Sequence, residues 1–141
     1  MLDLNSNFGR MVKRHLKNEY FIWLTTVDTK GTPQPRPVWF IWEDESFLVF
    51  SKANAYKIKH IRNNPNVSMH FNTKDEHGDQ HVIVFTGDAF FDTMSPPAHE
   101  VPEYFKKYKT GFDNLKMTPQ GFSNEYSVAI KIKPTEVRGW E

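Results

Sequence analysis

The chain has 141 residues, a formal net charge of +1 and no cysteine. A chain of this length reads as one domain over 1–141, able to bury about two-thirds of its unfolded surface without disulfide or metal staples. The lack of cysteine excludes disulfides, zinc–thiolate sites, iron–sulfur clusters and thiol catalysis, and the near-zero charge gives no general pull toward nucleic acid or a membrane surface.

The first predicted element is a helix, with Leu4, Phe8, Met11, Val12 and Leu16 at helical spacing, Asn5 or Ser6 as its cap, and an end near Asn18. Arg10, Lys13 and Arg14 interrupt this segment. It therefore lacks the 7–15-residue apolar run of a signal peptide, and the expected location is the cytoplasm. No stretch approaches the roughly 18 apolar residues of a membrane span. Residues 20–27 are β-branched and aromatic and predict a strand, followed by a turn at Asp28-Thr29-Lys30-Gly31. A second strand is predicted over 36–43 and a third over 47–51. A polar turn joins them, so the three form a meander. Asn54 caps a second helix over 55–62, which stops before Pro65.

A short strand over 67–72 and a polar loop over 73–80 come next, then a long strand over 81–91 with Gly87 as a bulge position. Residues 94–102 form an irregular connection and 103–108 a short helix. The last strand runs over 126–132, with continuation past Pro134 to Val137. The expected fold is mainly β with short helices, a six-stranded antiparallel barrel. Aromatic residues make up 15% of the chain, with twelve Phe and four Trp. That load suits a β-rich core or a wall against a planar ligand.

The chemistry is concentrated in 35–65. Arg36 stands at the start of the second predicted strand, and Ser51 and Lys52 at the end of its antiparallel neighbour. Tyr56 and Lys57 lie in the first turn of the following helix, where free backbone N–H groups favour an anion. Arg36, Ser51, Lys52 and Lys57 thus converge on one phosphate: arginine as a planar fork, lysine as a point charge, serine as a hydroxyl donor. Each signal alone has an ordinary explanation. Lys57, Lys59 and Arg62 fit a solvated helix face, Arg36 between prolines an edge position, and Trp39 and Trp42 a core.

The order of the parts is more specific. Trp23-Leu24-Thr25-Thr26-Val27, Gly31, Pro33, Pro37-Val38-Trp39-Phe40, Phe50-Ser51, Lys57, Ile61 and Asn64-Pro65-Asn66-Val67 follow one another as in a known pattern. The segment over 20–72 resembles the pyridoxamine 5'-phosphate oxidase-like superfamily of split barrels, including its deazaflavin-dependent relatives. Residues 82–90 and 132–140 extend the resemblance more loosely. It implies a homodimeric split barrel that binds FMN, or alternatively a deazaflavin, at the interface between subunits. The residues placed at the cofactor are Arg36, Pro37, Val38 and Trp39 from one strand, Phe50, Ser51 and Lys52 from the next, and Tyr56 and Lys57 from the helix.

Oxidases of the superfamily look to have Ser-Arg-Lys where this chain has Ala55-Tyr56-Lys57. The resemblance therefore implies loss of one cation and, with it, of pyridoxamine phosphate oxidation. The expected activity is hydride transfer to or from an unidentified small molecule, with the cofactor doing the chemistry and the protein binding and orienting it. Tyr56 and His60 are candidate proton donors, and no catalytic residue is assigned. The alternatives are a non-catalytic flavin-binding or storage protein and a cofactor-free β-barrel interaction module. His77 and His81, near Asp75, Glu76 and Asp79, fit no standard metal frame. Lys106, Lys107 and Lys109 read as a solvated helix end, or as the border of an anionic ligand or a dimer mate.

Overall fold

The structure is a computed structural model and describes residues 2–74 and 77–140. The elements run α1 (Asn7–Asn18), β1 (Phe21–Val27), β2 (Pro33–Trp39), β3 (Ile41–Glu43), β4 (Ser46–Ser51), α2 (Tyr56–Asn63), β5 (Asn66–His70), β6 (Val82–Phe91), α3 (Pro102–Asn114), α4 (Pro119–Glu125) and β7 (Val128–Trp140). Ser6 caps α1, its hydroxyl accepting the N–H of Gly9 at 3.0 Å. Asp75 and Glu76, named with the loop histidines, lie outside the described residues.

The seven strands form one antiparallel sheet in the order β2-β1-β5-β6-β7-β4-β3. Its two edge strands, β2 and β3, are consecutive in sequence and separated only by Phe40. The sheet therefore curls until its edges meet, and the chain crosses the seam at that residue. This corrects two sequence expectations. The strand predicted over 36–43 is two strands, because Trp39 still pairs with Phe21 of β1 whereas Ile41 pairs with Leu48 of β4. Among the described residues the curled sheet accordingly has seven strands, not six. The predicted meander is present as two hairpins, β1–β2 and β3–β4, interrupted at Phe40, and β2 itself does not pair with β4.

Crossing the seam takes the Phe40 backbone out of the ladder while its side chain stays fully buried. Buried backbone polar groups need partners, and α3 supplies them. The Tyr108 hydroxyl accepts the Phe40 N–H at 2.8 Å and faces the carbonyls of Phe40 (2.8 Å) and Tyr20 (2.6 Å). The Lys107 ammonium also donates to the Phe40 carbonyl at 2.8 Å.

Strand β4 reads as a continuous apolar run because both of its faces are covered. Phe47 and Val49 enter the barrel core with Ile22, Leu24, Met69, Phe85 and Ile130. Leu48 and Phe50 face a second core under α3 and α4, with Tyr104, Tyr108, Phe112 and Phe122. The spacing of Tyr104, Tyr108 and Phe112 carries α3 well beyond the short helix predicted over 103–108. α4 was not expected. It starts at Pro119 behind Thr118, whose hydroxyl accepts the Gly121 N–H at 2.9 Å.

The predicted bulge at Gly87 is present: Thr86 pairs with Glu136 but Gly87 with Pro134, leaving Thr135 as the extra residue. A Cβ on Gly87 would lie 2.5 Å from the Lys133 carbonyl oxygen, so only glycine allows the strands this close. Pro134 is tolerated because a bulge interrupts the ladder.

Candidate functional site

Two clefts adjoin beside α2. The first, of about 430 Å³, has Pro37, Val38 and Trp39 of β2 on one side and Phe50, Ser51 and Lys52 at the end of β4 on the other; α3 and α4 add Tyr104, Phe122 and Tyr126. The second, of about 310 Å³, lies among β1, β2 and α2 and is lined by Thr26, Gln34, Arg36, Tyr56, Lys57 and His60. Pro37, Ala55 and Lys57 border both. All nine sequence-derived candidates thus line one cleft or the other, although β2 and β4 stand far apart in the order of the sheet. They meet through the curl of the barrel, not as hydrogen-bonded neighbours.

The four polar candidates do not form a single cluster. Arg36 and Lys57 face the smaller cleft, and among the described residues neither has an ion-pair partner. The Arg36 guanidinium donates to the Pro35 carbonyl at 2.7 Å. Burial, and then the Arg36 charge, hold the Lys57 ammonium below the ordinary lysine range. Lys52 instead turns toward α4, 3.8 Å from a Glu125 carboxylate oxygen and 5.5 Å from the Tyr126 ring centroid. The buried Ser51 hydroxyl donates to the Lys52 carbonyl at 3.0 Å. Two cations therefore repel each other in one cleft, and Ser51 and Lys52 belong to the next.

The start of α2 adds to this positive field. Its cap residue is Ala55, which offers no side-chain acceptor to the first-turn amides, whereas Ser6 and Thr118 cap α1 and α4. Uncapped amides are free to meet an anion. Deeper in the cleft, His60 Nδ1 lies 2.7 Å from the Thr26 hydroxyl. Asp28 is not among the residues that line this cleft. Its carboxylate accepts the N–H groups of Lys30 and Thr32, each at 2.9 Å, and the Gln34 amide at 3.1 Å. Chiefly the Thr32 bond holds it below the usual carboxylate range.

The larger cleft has the opposite character. Trp39 stacks on Tyr108 (centroids 4.6 Å, planes 4° apart) and on Phe122 (5.6 Å, 16°). Phe122 stacks in turn on Tyr126 at 4.4 Å. Burial pushes the Tyr104 phenol well above the ordinary range, so this wall is neutral. Tyr104, Phe122 and Tyr126 were not among the candidates. The aromatic spacing along α3 was the available signal, and for α4 there was only the Thr118-Pro119 start. Tyr56 and His60, the candidate proton donors, both line the cationic cleft, apart from the aromatic one.

A third cavity, of about 680 Å³, lies by the connector after β6 and holds Asp92, His99, Glu100 and Ser123. Two carboxylates and no lysine or arginine line it, so it does not suit an anion. Among the described residues no group of three or more His, Asp or Glu is placed to hold a metal ion. No helix is long and apolar enough to cross a membrane, among the residues described.

Over residues 9–141 the sequence matches the family described as pyridoxamine 5'-phosphate oxidase. No curated protein matches it. Among solved structures, a conserved hypothetical protein of Mycobacterium tuberculosis is similar with a TM-score of 0.74 and 21% identity, over 94% of this chain and 83% of that one. A FAD-binding protein of Mesorhizobium loti gives 0.68 and 16%, over 92% and 90%. A protein described as an F420 reductase gives 0.65 and 23%, over 89% and 94%. At these identities the likeness is one of fold.

Proposed function

We propose, from the premise that this chain belongs to the pyridoxamine 5'-phosphate oxidase family, that it is an oxidoreductase using FMN or a deazaflavin. The observation that carries the reading is the pairing of Arg36 and Lys57, two cations without carboxylate partners, beside the uncapped start of α2 and next to an aromatic-walled cleft. Holding like charges together is by itself unfavourable. An anionic group in the smaller cleft reverses the sign of that interaction.

In this reading Arg36, Lys57 and the α2 amides hold the cofactor phosphate. Pro37, Val38, Trp39 and Phe50, with the wall from α3 and α4, lie along the ring, and Lys52 and Tyr56 stand at the rims. The bound cofactor would supply hydride transfer. The chain's own residues orient it and keep water from one side of the ring. The substrate is a small molecule, with neither nucleic acid nor membrane as partner.

The protein works as a homodimer in which the second subunit covers the ring. Exposed Phe90, Leu115 and Trp140 are apolar surface available for that contact. Cytoplasmic residence accords with this function. The test is calorimetric titration of the purified protein with FMN and with a deazaflavin, preceded by its visible absorbance spectrum. Absence of any flavin-type absorbance together with no heat from either ligand would reject the reading.

A further inference from the structure

The cationic cleft is larger and more extended than one terminal phosphate requires. Its volume of about 310 Å³ is at the lower end of pockets that hold whole small molecules, roughly 300–1,000 Å³. Beyond Arg36 and Lys57 it continues inward to His60, Thr26 and Gln34, three polar side chains. At its outer rim stands Tyr56, the first residue of α2, with 78% of its surface exposed. An exposed aromatic ring is a platform on which a nucleobase can stack.

We propose that the Arg36–Lys57 cleft takes a diphosphate and that Tyr56 stacks the base attached to it, which makes the preferred ligand a flavin dinucleotide over the mononucleotide. The inference rests on the flavin reading above and names Tyr56 as the residue that selects between the two. Arg36 and Lys57 balance the two phosphate charges, and the polar interior of the cleft receives the oxygens of the second phosphate. The adenine then lies at the mouth, where the ring of Tyr56 is open. A deazaflavin tail, acidic and without a base, has no use for that ring.

The experiment measures dissociation constants by calorimetry for riboflavin, FMN, FAD and a deazaflavin, on protein freed of bound ligand. It covers the wild-type chain, Tyr56→Ala and Tyr56→Phe. Because Tyr56 is exposed, neither substitution threatens the fold. FAD should bind wild type at least about fivefold more tightly than FMN, the low end of base–aromatic stacking. Tyr56→Ala should weaken FAD more than FMN and so remove that advantage, Tyr56→Phe should keep it, and ADP should displace FAD. Equal affinity for FAD and FMN overturns the inference, as does tightest binding of the deazaflavin, or an equal loss of both flavins in Tyr56→Ala. Failure of all four ligands to bind overturns the flavin reading itself.

Discussion

The hydroxyl of Tyr108 accepts the backbone N–H of Phe40 at 2.8 Å, at the residue where the chain leaves one edge of the sheet and joins the other. A side chain on α3 thereby closes a seam in the barrel and, by the same placement, positions the aromatic wall of the larger cleft. Tyr108→Phe keeps the ring and its stack on Trp39 but leaves the Phe40 N–H buried without its acceptor. The expected loss is about 1–3 kcal/mol, read as a lower midpoint in urea denaturation at unchanged slope. The Phe40 carbonyl keeps its bond from Lys107, whereas the Tyr20 carbonyl loses the hydroxyl as well.

Lys57→Ala should weaken binding of the cofactor roughly tenfold or more, since charge-assisted contacts contribute about 1.5–3 kcal/mol. Thermal stability should not fall, because a repulsion with Arg36 is also removed. Unchanged affinity for both FMN and a deazaflavin would move the phosphate elsewhere.

The lowered pKa of Lys57 also sets a pH dependence. A lysine depressed in the folded protein costs stability where it is charged in both states, and that cost disappears as pH rises through the folded value. Binding runs the other way. An anion needs the charged ammonium, so affinity should fall as pH rises through the depressed pKa, before an ordinary lysine would titrate. Lys57→Arg should abolish this alkaline loss, because arginine stays protonated. Any loss that persists in that variant belongs to the ligand.

The resemblance of residues 55–57 to the superfamily's oxidases implies that Tyr56 replaces a cation. Pyridoxamine phosphate oxidation with added FMN should therefore be absent or far below the usual enzyme range of about 1–10³ per second. The formation of pyridoxal phosphate measures it directly.

Gly111 lies in α3 against the seam, and a Cβ there would come within 2.5 Å of the Tyr20 hydroxyl and 2.7 Å of Trp39 Cη2. Alanine gains up to about 1 kcal/mol in helix propensity. Overpacking against a tryptophan already stacked on two rings costs about 1–3 kcal/mol. The net effect of Gly111→Ala should be a lower melting temperature and altered tryptophan fluorescence.

The proposed homodimer predicts a mass near twice the 16.6 kDa of the chain by light scattering at micromolar concentration. A monomer that still binds cofactor tightly would show that one chain builds the whole site.

Several features were legible because they depend on nearby residues. The cap of α1, the turn at Asp28, the run of β4 and the bulge at Gly87 each follow from residue types at short spacing, whereas α2 starts behind Ala55 and not behind the expected cap Asn54. The grouping of the nine candidates was legible for a related reason: a short hairpin and one helix turn connect Arg36 to Lys57, leaving few ways to separate them. Periodicity did not reveal the break at Phe40, since a buried aromatic residue between apolar neighbours looks like the middle of a strand. Only the curl of the sheet, which brings β3 to β4 while β2 stays with β1, makes that residue a crossing point. Nor could local pattern divide the cations between two clefts or bring Tyr104, Phe122 and Tyr126 over the end of β4. Those placements depend on how α3 and α4 pack on the outer face of the barrel. Sequence alone determined which residues carry the charges and rings near α2; long-range packing decided which of them share a cleft, because burial and charge repulsion depend on distances between segments far apart in the chain.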